Sequence, residues 1–306
     1  MSDLLVAPDD GRVHRGRRRG SGWVPVTRGL QHAPGVSPLH AWQQVLPASA
    51  VFSHLTAAAL HGWWLPQLPS DLPVLVDQAE SDHRTRLPGI RVTRTAGPVP
   101  VEDRDGVRVA APAHALLACA RDLGLLDLVV LVDSALRTGC TIGDVRAVCT
   151  PRRRGVVGLR RALELADPRS ESPWETLLRL MHVTFDAQVV PQHPVRDAAG
   201  GHVARADLWL PGTTTIHEYD SSDHRDPAQH GADLRRDRAL TAIGWTRRGY
   251  VASDLRDRPV SVLRDVDDTL GRKHDPARVR PWLTLLAESS LTPAGRARLA
   301  RRLTRA

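Results

Sequence analysis

The chain has 306 residues, 42% of them apolar and 25% charged, a balance ordinary for a globular protein and unlike that of a disordered or fibrous one. Lys and Arg outnumber Asp and Glu by 42 to 34, giving a net charge of +8 with Lys273 as the single lysine. A GC-rich genome writes Arg for Lys, but an arginine-rich surface also suits phosphate through its bidentate fork, which tilts the balance toward nucleic acid.

The opening MSDLLVAPDDGR has no basic stretch leading into an apolar core, so no signal peptide is expected. Residues 1–22 are Gly/Arg-rich, end in HRGRRRGSG, and predict a disordered basic arm. GWVPVTRGL reads as a short strand pair, and HAWQQVLP and SHLTAAALHG as helices, with Ser53 at an N-cap and Gly62 at a stop. LPVLVDQ, IRVTRT and the DRDGVRV stretch read as strands, the last through a DG turn. Pro112 opens a helix closed by Gly124, LLDLVVLVDSALRTG forms a second, and a third begins near Thr141. Asp127 breaks the longest apolar run, LLDLVVLV, which is far too short to span a bilayer. Cys119, Cys140 and Cys149 are odd in number and lack tight spacing, so neither a disulfide framework nor a cysteine zinc site is expected. A reducing compartment, the cytoplasm, follows as the expectation.

Residues 23–150 thus form an α+β half, and the basic TPRRRG and the helix GLRRALELADP make a linker over 151–169. A second unit over 170–262 runs helix, strand, strand, helix, strand: SPWETLLRLMHV, ARADLWL, TTTIHEYD, PAQHGADLRRDRALTAIG and WTRRGYV. Residues 263–306 predict a helical extension whose tail LTPAGRARLARRLTRA holds five arginines and no acid. The fold class expected is α/β.

The two central strands meet across Pro211-Gly212, a turn dipeptide. A hairpin centred between Gly212 and Thr213 sets Asp207 opposite Glu218, where like charges destabilise a sheet. Strand alternation adds Asp220 to the face of Glu218. Three carboxylates at one end of a hairpin suit a divalent cation, for Mg²⁺ is held by one or two carboxylates plus water and phosphate; solvated edge charges are the plain alternative. On the next helix, Ala232, Arg236, Ala239, Leu240 and Ile243 form one stripe. Arg236 is therefore expected half-buried, paired with Asp233 or Asp237, while Arg235 and Arg238 face outward. Ser172-Pro-Trp-Glu175 reads as a capping box, which gives Glu175 a structural role. His54 and His61 share one helix face but find no carboxylate or cysteine in the sequence pattern to complete a metal set.

SPWETLLRL, ARADLWLP, HEYDSSDH and DLRRDRALTAIGW, in that order over roughly residues 170–260, resemble an uncharacterised endonuclease-like family. That family is related to the very-short-patch (Vsr-like) repair endonucleases and, more distantly, to the PD-(D/E)XK nucleases. The resemblance implies a restriction-endonuclease-like core, a central mixed sheet flanked by helices, and a phosphodiesterase centre using Mg²⁺, or Mn²⁺ in its place. It makes Asp207 the first metal-binding acid, Glu218 the acid of E-x-D, and Asp220 and His224 the D and H that follow. Glu175 matches the acid of the opening helix, and Asp233 and Arg236 match D-x-x-R. Two departures stand out: Asp220 replaces the lysine of the wider nuclease group, as in the short-patch relatives, and Ser221 stands where glycine commonly follows. VFSHLTAAALHGWWLP and DGVRVAAPAHALLACAR resemble AbiEi-type antitoxin-like regulators of actinobacteria, with GWVPVTRGL as the remnant of a degenerate winged helix.

The expected activity is hydrolysis of DNA. Asp207, Glu218 and Asp220 would be the metal ligands, His224 the proton carrier, and Arg235, Arg236 and Arg238 the phosphate contacts. The competing expectation is a non-catalytic DNA-binding regulator or type IV toxin–antitoxin antitoxin, with a cognate toxin or a repair or defence protein as partner.

Overall fold

The structure is a computed structural model describing residues 13–15, 22–69, 72–220 and 227–304, with backbone alone at 15, 227–230, 232 and 233. The protein is α/β, with three sheets among the described residues and helices packed against them. Strands β1 (Val13–Arg15), β2 (Val24–Thr27) and β3 (Leu30–His32) form an antiparallel sheet, so the strand pair read in GWVPVTRGL gains a third member. Helix α1 (Pro38–Val45) follows, capped by Ser37.

A five-stranded mixed sheet holds β4 (Val51–Phe52), β5 (Val74–Ala79), β6 (Ile90–Thr95), β7 (Val101–Arg104) and β8 (Val107–Ala110) in the order β6-β5-β4-β8-β7. The β7–β8 turn carries Asp105 and Gly106 with φ of 54° and 79°, the left-handed geometry that selects DG in a tight hairpin. Helix α2 (His54–Leu60) begins at Ser53 and gives way at Gly62 as expected. The Ser53 hydroxyl does not cap it, because it donates to buried Asp77 at 2.8 Å.

Helices α3 (Pro112–Cys119), α4 (Leu125–Arg137), α5 (Ile142–Val148) and α6 (Val156–Leu165) complete this half. α5 starts on a capping box between Thr141 and Asp144. The linker helix α6 buries Val156, Leu159 and Ala162, and one hydrophobic core runs from Val13 through these residues to Leu303.

The second sheet follows helix α7 (Pro173–Thr184) and comprises β9 (Val190–Arg196), β10 (His202–Trp209), β11 (Thr215–Tyr219) and β12 (Thr246–Tyr250), in the order β12-β11-β10-β9. Helix α8 (Pro227–Ala242) connects β11 to β12, which run parallel; the other pairs are antiparallel. β9 is absent from the sequence reading because Pro191 and Pro194 argue against a strand. Its place at the sheet edge, with β10 as its one neighbour, is where proline is tolerated.

Helices α9 (Ala252–Asp257) and α10 (Pro259–Thr269) follow, and α11 (Arg280–Glu288) and α12 (Pro293–Thr304) lie in the C-terminal extension. It folds back on the first half: Asp127 of α4 accepts from Ser289 Oγ at 2.7 Å and Ser290 N at 2.8 Å. Among the described residues no helix is long and apolar enough to cross a membrane, and all three cysteines are free.

Candidate functional site

The hairpin register follows the expected centre. Leu208 faces His217 and Trp209 faces Ile216, the two pairs that lead up to the expected Asp207–Glu218 opposition. Gly212 turns the chain with φ of 83°, a value few residues other than glycine adopt. The ladder of paired residues ends at Leu208, and Asp207 Oδ2 instead accepts from Tyr219 N at 2.9 Å. Burial raises the Asp207 carboxyl to about 7, reinforced by the charges of Glu175 and Glu218.

Glu218 is 3% exposed and fully engaged. Its Oε1 accepts from Arg236 Nη2, and its Oε2 from Arg247 Nε at 2.5 Å. Arg247 also donates through Nη2 to Asp220, and its Nη1 lies 3.7 Å from Asp237. Glu218 and Asp220 therefore share a face, as alternation requires, but a guanidinium stands between them. Gly249, opposite Glu218 on β12, leaves room for the Asp220 carboxylate; a β-carbon there would overlap its Oδ2.

Arg236 is half-buried as expected, and Arg235 and Arg238 are exposed. Its partner comes from the neighbouring strand rather than its own helix, and Nη2 also donates to Arg205 O at 2.7 Å. Asp237 is drawn to Arg247 instead, while the Asp233 side chain and His224 lie outside the described residues.

Glu175 does more than cap. Ser172 Oγ accepts from Glu175 N at 3.2 Å, the expected half of a capping box. The Glu175 carboxylate turns away, accepting from Glu171 N and Gln192 Nε2, both at 2.8 Å. Gln192 keeps Oε1 buried and without a hydrogen-bond partner. Gln192 and Arg247 are the residues of this cluster that sequence reasoning missed. Gln192 sits on the unread strand, but TRRGY alternation could have put Arg247 on the Glu218 face.

The opposite face of β11 is different. His217 is fully buried, its Nδ1 2.7 Å from His182 Nε2 and 3.3 Å from Tyr250 Oη. Because Leu178 O can only accept, His182 carries its proton on Nδ1, and His217 Nδ1 donates to His182 Nε2. Burial depresses both imidazoles, His182 to about 4. Neutral and enclosed, this pair holds α7 to the sheet, aided by Trp174 stacked on Tyr219 at 5.3 Å.

The Glu175 charge resists ionisation of Asp207, Glu175 and Gln192 offer hard oxygens nearby, and Asp207 Oδ1 has no hydrogen-bond partner among the described residues. That donor set fits a hard divalent cation. Glu218 and Asp220 are held instead by arginine, and among the described residues no three His, Cys, Asp or Glu side chains stand close enough to hold one ion. In the first half, His54 does find partners that the sequence hid: Asp122 at 3.1 Å and the buried Cys119 thiol at 3.8 Å from Nδ1. His61 bonds Ala110 O and is separate.

The architecture so far defines a class: an α/β protein with a carboxylate–arginine cluster at one end of a mixed sheet. Two curated relatives from Mycobacterium tuberculosis, Uncharacterized protein Rv2248 of strain H37Rv and Uncharacterized protein MT2308 of strain CDC 1551, are each 32% identical over 185 residues, which is 56% of this chain and 68% of theirs. The chain belongs to the family these proteins represent. No protein-family model matches it. Among solved structures, the RV2827C protein from Mycobacterium tuberculosis is similar with a TM-score of 0.35 and 15% identity, over 52% of this chain and 64% of that one.

Proposed function

We propose that the chain is a metal-dependent endonuclease that hydrolyses DNA phosphodiester bonds in the cytoplasm. The observation that carries this reading is the crowding at the hairpin end, where Asp207 accepts from Tyr219 N and the charges of Glu175 and Glu218 both oppose its ionisation. Carboxylates gathered against their own repulsion are what a cation stabilises. Asp207 and Glu175 would hold Mg²⁺ or Mn²⁺ with Gln192 Oε1, and Glu218 and Asp220, held by arginine, would stand beside them. When bound, the ion supplies Lewis acidity toward a phosphate oxygen and an acidified water. Arg236 and Arg247 orient Glu218 and balance its charge, and exposed Arg235 and Arg238 contact flanking phosphates. His224, in the resemblance to Vsr-like nucleases, moves the proton. The free cysteines accord with a reducing compartment.

The test is supercoiled plasmid with Mg²⁺ or Mn²⁺. Wild type should nick it, and the Asp207→Ala/Glu218→Ala double variant should lose at least a hundredfold in rate. Equal behaviour of the two sinks the reading. One observation favours a second reading: both oxygens of Glu218 are satisfied by arginine, the pattern of a structural ion pair. A non-catalytic DNA-binding regulator, or an antitoxin with a cognate toxin, would bind DNA in EDTA and never cut it.

A further inference from the structure

A second concentration of charge lies in the first half, on residues the proposed hydrolytic cluster does not use. β6 is an edge strand of the five-stranded sheet. A cavity of about 1310 Å³ opens beside it, lined by the strand, the 84–89 loop, Arg154 ahead of α6 and the end of α12. Among the described residues six arginines line it, Arg84, Arg86, Arg91, Arg94, Arg154 and Arg302, against one carboxylate, Asp122. That carboxylate is already neutralised, because its Oδ2 lies 3.1 Å from both Arg91 Nη1 and His54 Nε2.

Charged side chains on an edge strand discourage further strand pairing, which accounts for Arg91 and Arg94. Edge protection gives no reason for the other four, which come from three further segments. Arg84, Arg86 and Arg154 are exposed and form no ion pair among the described residues. Arg302 is drawn in from the tail, its Nη1 donating to Asp122 O at 2.7 Å. Two of the basic stretches of the sequence, TPRRRG and the C-terminal tail, thus contribute to one groove.

We propose that this groove binds the phosphate backbone of nucleic acid, separately from the hydrolytic cluster. Its volume exceeds the roughly 300–1,000 Å³ of small-molecule sites. A single phosphate is satisfied by two or three guanidinium donors, whereas six along an open groove match successive phosphates of a polymer. The grip is electrostatic and independent of base sequence. The inference shares nucleic acid as partner with the proposed function but does not depend on hydrolysis.

The test uses the full chain in EDTA and the fluorescence anisotropy of labelled oligonucleotides, duplex and single-stranded, between 50 and 200 mM salt. Arg84→Ala/Arg86→Ala/Arg154→Ala should weaken binding at least tenfold. It should also lower the log–log salt slope by about 2–3, at about 0.9 for each phosphate no longer neutralised. The melting temperature should not move, since these side chains have no ion-pair partners to lose. Cleavage needs the metal that EDTA removes, so loss of cleavage and loss of the groove are read separately. Unchanged affinity and slope in the triple variant overturn the proposal, as does absence of wild-type binding in EDTA whatever the plasmid assay shows. Competition by inorganic phosphate at an equal phosphate concentration assigns a single-anion site and overturns it as well.

Discussion

Two groups of buried carboxylates are answered in different ways. Asp133 on α4 accepts from Thr176 Oγ1, Arg179 Nη2 and Asp167 N within 2.8 Å, and Asp267 on α10 accepts from Arg272 and His274 within 2.9 Å and from Arg278. Each is an acid at 0% exposure surrounded by donors, from distant segments at Asp133 and from the residues just after α10 at Asp267. At the end of the β10–β11 hairpin the acids instead face one another. Asp207 accepts one hydrogen bond among the described residues, and two carboxylates oppose its charge. Asp133 joins the halves of the molecule and Asp267 fastens the segment after α10; the unsaturated acid marks the place where a ligand would complete the charge balance.

The largest expected effect comes from breaking the first group. Asp133→Ala leaves Arg179, 6% exposed, without its carboxylate. Removing one partner of a buried pair costs about 3–5 kcal/mol, and urea titration at pH 8 should show a loss of that size. Asp133 belongs with the unsaturated acids if the loss is under about 1 kcal/mol, the range of an ordinary surface change.

Asp207 should respond in the opposite direction. Its folded pKa is about 7 against about 3.9 for an unfolded aspartate, so the folded state holds the proton more tightly. Stability from this group is therefore full below about pH 4 and lost as pH rises through 7. Asp207→Asn abolishes the titration and keeps an oxygen for Tyr219 N. In EDTA the variant should match wild type near pH 4 and exceed it at pH 8 by on the order of 2 kcal/mol. Mg²⁺ should narrow that gap by stabilising wild type alone. A variant less stable than wild type at pH 8 would make Asp207 a structural acid like Asp133.

The sequence disclosed the elements of this contrast better than its partners. The hairpin was legible because Pro211-Gly212 marks the turn and strand period then assigns every side chain to a face, including His217 to the side away from Glu218. Helix α8 was legible from its stripe, which put Arg236 inward. The identity of its partner was not, since Glu218 reaches it across a strand–helix packing distance that no local pattern encodes. Donors to Asp133 are similarly non-local. β9 was hidden because proline signals a break unless the strand is known to lie at an edge, and edge position is a property of the assembled sheet. Gln192 was lost with it.

The smallest expected effect separates the two groups by mobility. Asp220 belongs to the hairpin cluster, and its carboxylate lies where a β-carbon on Gly249 would be. The obstructing atom is the end of a short rotatable side chain rather than backbone, so Gly249→Ala displaces the carboxylate from Arg247 without forcing the sheet apart. Alanine also restricts the unfolded chain, which offsets part of any strain. The net change in stability should stay within about 1 kcal/mol. The chemistry should be more sensitive, because misplacing a group by about 1 Å costs up to about a hundredfold in rate. Plasmid nicking by Gly249→Ala should therefore fall by about tenfold or more at near-normal stability. A stability loss above about 2 kcal/mol with nicking unchanged would put Asp220 among the saturated carboxylates that hold the fold.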